Sequence, residues 1–190
     1  RSFQMRVVAY DPIAMPRDVA EQHQVEWLSL EELLNQSHVV TLHARLTSET
    51  RHILNQETLA LCRPGALIIN TARGGLIDTE SLRLALESGH LGGAGLDVLE
   101  DERVLRRATT EIIGTEIVER LKSDALPKDL DQNRVDDLQH LITSHSLLQR
   151  PNVVFTPHVA FNSAEAVSRL KEVTVENIQG FLQHRLRNTV

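Results

Sequence analysis

Three side chains of this sequence have the types and settings of acid–base and anion-binding groups. Arg73 follows the apolar run Ala66–Asn70 through Thr71 and Ala72 and precedes Gly74 and Gly75, so flexible backbone would let its guanidinium turn into a cleft. Its planar fork fits a carboxylate through two parallel hydrogen bonds, although an arginine met alone at such a place more often neutralises a structural acid. His158 follows Pro157 at the end of the run Asn152–Phe155, where an imidazole can exchange a proton near neutral pH; a lone histidine, too, is more often structural. Glu102 supplies the complement. A carboxylate set against an imidazole stabilises the charged ring and fixes its tautomer, so the two together could make an acid.

Two further acids stand in comparable places. Asp11 comes directly after the run Arg6–Tyr10, where a carboxylate can accept hydrogen bonds from both hydroxyls of an adenosine ribose and would repel a 2′-phosphate; no arginine follows before Arg17. That favours NAD over NADP, and a plain turn aspartate before Pro12 is the equal alternative. Asp97 closes the run Gly93–Leu96 and either approaches a ligand or starts a turn.

Positioning these groups falls to the elements around them. The continuous apolar runs Arg6–Tyr10, Val39–Leu42, Ala66–Asn70, Gly93–Leu96 and Asn152–Phe155 suit strands buried on both faces. Helical signals lie between: Ser29 with Glu32 and Asn162 with Glu165 as capping boxes, and Asp78 opening a helix that Gly89 closes. Alternating strands and helices predict a parallel sheet covered by helices on both faces. In such a sheet ligands bind outside the carboxyl ends of the strands. The runs end in Asp11, His43, Thr71-Ala72-Arg73, Asp97 and His158, so five strands would deliver polar groups to one edge. Residues 103–150 separate the last two strands by more than a crossover requires and read as a helical insertion, a cover or a subunit contact.

The 190 residues suit one domain, and 41% hydrophobic with 24% charged residues contain no apolar run near the roughly 20 residues of a membrane span. Nothing at the start of the chain has the pattern of an export signal, so a cytoplasmic setting and no membrane partner are expected. A net charge of −6, with basic residues scattered among acidic ones, leaves no footprint for nucleic acid. Cys62 is the single cysteine and is given no role.

The segments Val40-Thr41-Leu42-His43, Arg63 to Gly75, Gly93-Ala94-Gly95-Leu96-Asp97-Val98 and Pro151 to His158 resemble the D-isomer-specific 2-hydroxyacid dehydrogenases over nearly the whole chain outside the insertion. The resemblance implies a Rossmann-like, doubly wound parallel sheet, the cofactor NAD, and hydride transfer between NAD(H) and a small 2-oxo or D-2-hydroxy acid. Arg73 then looks like the substrate-carboxylate arginine, His158 like the catalytic acid/base, and Glu102 like its carboxylate partner. Asp11 looks like the ribose acid, Thr71, Ala72 and Arg73 like cofactor contacts, and Asp97 like the residue near the nicotinamide amide, with His158 beside it. His43 and Ala44 fall where the family's loop passes the cofactor, with Arg45 where a proline is usual. Phe161 resembles the D-lactate dehydrogenase branch, which points to pyruvate as substrate. A glyoxylate or hydroxypyruvate reductase, a phosphoglycerate dehydrogenase, and a non-catalytic, NAD-responsive corepressor-like protein are the alternatives. A homodimer is expected of the full-length protein.

The family's glycine loop is missing, since no glycine precedes Gly65. Arg1 to Met5 therefore reads as the tail of the helix after that loop, with the first strand upstream, and residues 1–190 as a partial NAD-binding domain whose substrate domain is absent. On this expectation the chain alone binds NAD weakly and turns nothing over.

Overall fold

In the computed structural model, residues 5–13, 25–100, 140, 142–159, 162–183 and 185 are described. The chain divides into two compact units, Arg1–Phe155 and Thr156–Val190.

In the first unit every apolar run becomes a strand. Val39–Leu42 (β3), Ala66–Asn70 (β4), Leu91–Leu96 (β5) and Val153–Phe155 (β6) form one four-stranded sheet in the order β3-β4-β5-β6, all pairs parallel. Val8–Ala9 (β1) pairs in parallel with Glu26–Trp27 (β2) in a separate two-stranded sheet. Arg6 supports that ladder by an ion pair with Glu26. The two residues of β2 carry no strand pattern of their own and were not expected from sequence.

Register places Val40, Leu42, Ile68, Asn70, Ala94 and Leu96 on one face of the larger sheet. That face meets Leu34 of Leu30–Gln36 (α1), Leu59 of Gln56–Ala60 (α2) and Leu82 and Leu86 of Thr79–Glu87 (α3) in a single core. Leu147, in the helical segment 142–148, is also fully buried there. Each such leucine contributes about 1.5–3 kcal/mol by leaving water. Within this unit the opposite face presents Thr41, Leu67 and Val154 at the surface.

The expected caps are in place. Ser29 and Glu32 make both bonds of a capping box at α1, and the Ser29 hydroxyl, with the Ser29 N–H, holds the Glu32 carboxyl below its ordinary pKa. Asp78 accepts from the Ser81 N–H at the start of α3, and Gly89 just past its end has a φ of 74°, a conformation that favours glycine. In the second unit, Ala164–Leu182 (α4) departs from expectation by one residue: Ser163, and not Asn162, is the cap, its hydroxyl accepting the Ala166 N–H. Two neighbouring cap-forming residues cannot be ranked by type alone.

Candidate active site

Parallel pairing brings the carboxyl ends of β3 to β6 to one edge of the sheet, and the strand-end residues follow from that. His43, directly after β3, is exposed and lies 3.0 Å from the Thr41 hydroxyl through Nε2. Ala44 beside it packs on the core.

The turn after β4 is built by Asn70, which is 1% exposed. Its amide Nδ2 donates to the Arg73 carbonyl at 2.9 Å, and its Oδ1 accepts the Ala72 N–H at 3.0 Å. The Asn70 carbonyl in turn accepts the Asp97 N–H at 2.9 Å, which ties the exit of β5 to that of β4. Thr71 and Arg73 are left at the surface, with Ala72 half-buried. The Arg73 guanidinium donates to the Ala72 carbonyl at 2.7 Å and forms no ion pair among the described residues.

Gly74 corrects the expectation of a flexible hinge. Residues Gly74–Leu76 form a tight 3-10 turn, and a Cβ on Gly74 would lie 2.0 Å from the Leu99 carbonyl atoms and 2.3 Å from the Glu100 nitrogen. Glycine is there because the backbone after Arg73 lies directly on the backbone leaving β5. Asp97, at that exit, is 3% exposed.

Asp11 follows β1 in the separate sheet, exposed, and its Oδ1 accepts the Ile13 N–H at 2.8 Å in a local turn. His158 belongs to the second unit, where its N–H donates to the Thr156 carbonyl at 2.9 Å and its φ of 55° is left-handed. That conformation is uncommon outside glycine and costs about 1 kcal/mol or more, a strain found disproportionately at functional sites. Glu102, Phe161, residues 1–4 and residues 103–139 with Leu141 lie outside the described residues.

Sequence reasoning passed over Asn70 as a functional residue, and with it Glu100, Arg51 and His52. An amide in register with Ile68 on the buried face was the available signal for Asn70. The buried Glu100 carboxylate accepts from Arg51 at 2.6 Å and from His52 at 2.9 Å, pairings across almost fifty residues that no local pattern reveals. Among the described residues no cluster of side chains could hold a metal ion, and no helix is long and apolar enough to cross a membrane.

A parallel sheet with helices packed on it, an arginine turn braced at its carboxyl edge, and an exposed acid after a preceding parallel strand define a Rossmann-like dinucleotide-binding domain. The chemistry of an extended dinucleotide suits these residues, since a carboxylate such as that of Asp11 can accept from ribose hydroxyls and His43, Thr71 and Arg73 are exposed among the described residues. Residues 1–160 match the D-isomer specific 2-hydroxyacid dehydrogenase, NAD binding domain. The chain belongs to that family. A D-specific alpha-keto acid dehydrogenase of Enterococcus faecalis is 36% identical over 187 residues, 97% of this chain and 48% of that protein. The solved D-lactate dehydrogenase of Aquifex aeolicus, complexed with NAD and lactic acid, is similar at 30% identity and a TM-score of 0.71, over 97% of this chain and 48% of that one. A D-2-hydroxyisocaproate dehydrogenase gives 32% identity and a TM-score of 0.73 over 99% and 49%. The chain thus spans about half the length of the relatives it matches.

Proposed function

We propose that this chain supplies the nicotinamide side of the active site of an NAD-dependent oxidoreductase that interconverts 2-oxo and D-2-hydroxy acids, with pyruvate and D-lactate as the leading pair. The observation that carries the reading is the Asn70-braced turn, which holds Arg73 at the carboxyl edge of the sheet with no acid to neutralise it among the described residues. There the guanidinium would take the substrate carboxylate in a bidentate grip and polarise the adjacent carbonyl. Its rigid footing supplies orientation, worth several kcal/mol of barrier when the geometry is held.

When bound, NAD(H) supplies or accepts the hydride at the substrate carbon. Asp11 would hold the adenosine ribose through its hydroxyls, and His43, Ala44, Thr71, Ala72 and Asp97 would line the cofactor's path. In the reducing direction His158 would donate a proton to the carbonyl oxygen, and in the oxidising direction the neutral ring would take one. Glu102 would keep the ring charged and in one tautomer, and Phe161 would meet the substrate's apolar end.

Residues 103–150 are read as a helical insertion, and from its end the segment 142–148 packs Leu147 into the core. The full-length protein is read as a cytoplasmic homodimer.

The test is His158→Ala in a full-length protein carrying this domain together with a substrate domain. Turnover of pyruvate with NADH should fall about 10²–10⁴-fold while NADH affinity stays within about twofold. Equal losses in both would remove His158 from the chemistry, and undetectable turnover by the unsubstituted protein across a panel of 2-oxo acids would replace the enzyme reading with NAD-dependent partner binding.

A further inference from the structure

Beside the Arg73 turn, three segments meet at Glu100. The Glu100 side chain is 7% exposed and accepts a hydrogen bond from Arg51 Nη2 at 2.6 Å. Its two oxygens lie 2.9 and 3.0 Å from His52 Nε2. His52 is held in a left-handed conformation, φ 51°, its N–H donating to the Gly75 carbonyl at 2.9 Å and its Nδ1 lying 3.9 Å from Asp78 Oδ2. The third segment arrives through Gly74, whose backbone rests on Leu99 and Glu100 with no room for a methyl group.

An acid so buried, and fastened to two donors nearly fifty residues away, does more than satisfy local hydrogen bonds. Taking a charge out of water is costly unless partners meet it, and removing one partner leaves the others uncompensated. The donors here sit on the loop that is hydrogen-bonded to the 74–76 turn. The acid itself sits two residues before Glu102, on backbone that touches Gly74. We propose that Glu100 is a positioning residue: its carboxylate fixes the exit of β5 against the turn that carries Arg73. This rests on the reading of Arg73 given above.

The experiment is a double-mutant cycle in the full-length protein, with NADH and pyruvate, or phenylpyruvate or glyoxylate where either is turned over faster. Glu100→Gln should lower kcat/KM about tenfold, with NADH affinity unchanged within about twofold, because a displacement of about 1 Å at an orienting group suffices for such losses. Arg73→Lys should lower it further on its own. The double variant should lose markedly less than the product of the two single losses, since both act through one turn. Multiplicative losses, or a Glu100→Gln variant that loses NADH binding in parallel with turnover, overturn the proposal by making Glu100 a general support. If Glu100→Ala is also made and fails to fold, Glu100→Gln, which keeps the shape, carries the test. Unchanged kinetics in Glu100→Gln beside a crippled Arg73→Lys overturns this inference alone. Unchanged kinetics in Arg73→Lys sinks the reading beneath it, and this inference falls with it.

Discussion

Asn70 holds Arg73 in place by its backbone without touching its guanidinium: one amide donates to the Arg73 carbonyl at 2.9 Å and accepts the Ala72 N–H at 3.0 Å. Asn70→Leu keeps the volume and strands both backbone groups. We expect a loss of about 2–3 kcal/mol in urea unfolding. A loss below about 0.5 kcal/mol would mean that the turn is set by other contacts.

Gly74 and Gly75 look alike in sequence and should behave differently. At Gly74 an added methyl group meets backbone at 2.0 Å, whereas at Gly75 the nearest atom is the Leu46 side chain at 3.1 Å, which can shift. Gly74→Ala should cost about 3 kcal/mol or more, and Gly75→Ala about 1 kcal/mol or less, in the same unfolding experiment. Equal costs would contradict the close approach described for residue 74.

That contrast marks the boundary of what the sequence makes legible. The continuous apolar runs declare β3 to β6 because strands of a parallel sheet are rich in apolar residues, and Ser29, Asp78 and Gly89 declare helix ends because backbone groups there need local partners. Arg73, Asp97 and His43 are legible as candidates because the carboxyl edge of a parallel sheet is a consequence of topology. The reason for Gly74 lies in Leu99 and Glu100, and the partners of Glu100 lie at Arg51 and His52; such meetings exist only after folding. Two-residue β2 is invisible for another reason: its ladder with β1, and not any pattern in Glu26 and Trp27, makes it a strand.

Cys62 is 3% exposed, and burial pushes its thiol up to about 11. The raised value means that the folded state binds the proton more tightly than the unfolded chain. This contribution to stability is therefore whole below the ordinary thiol range and is lost as pH rises through it toward 11. Native protein at pH 8 should react with a disulfide reagent far more slowly than urea-unfolded protein, as followed by thiolate release. Equal rates would contradict the burial.

The position of the cap on α4 can be decided by substitution. Ser163→Ala should cost about 1 kcal/mol in thermal unfolding, and Asn162→Ala only a few tenths. The reverse order would restore Asn162 as the cap.

The larger sheet is ordered as the chain is made. A ribosome releasing it N-terminus first would deliver β3, β4 and β5 in turn, each beside the strand just completed. The final partner, β6, arrives only after residues 97–152 have been synthesised, an interval of several seconds at about 5–20 residues per second. Through that interval the outer edge of β5, with its unpaired amides and carbonyls, is a template for any extended peptide nearby. Chaperone dependence during synthesis should therefore be concentrated in the stretch between Leu96 and Val153.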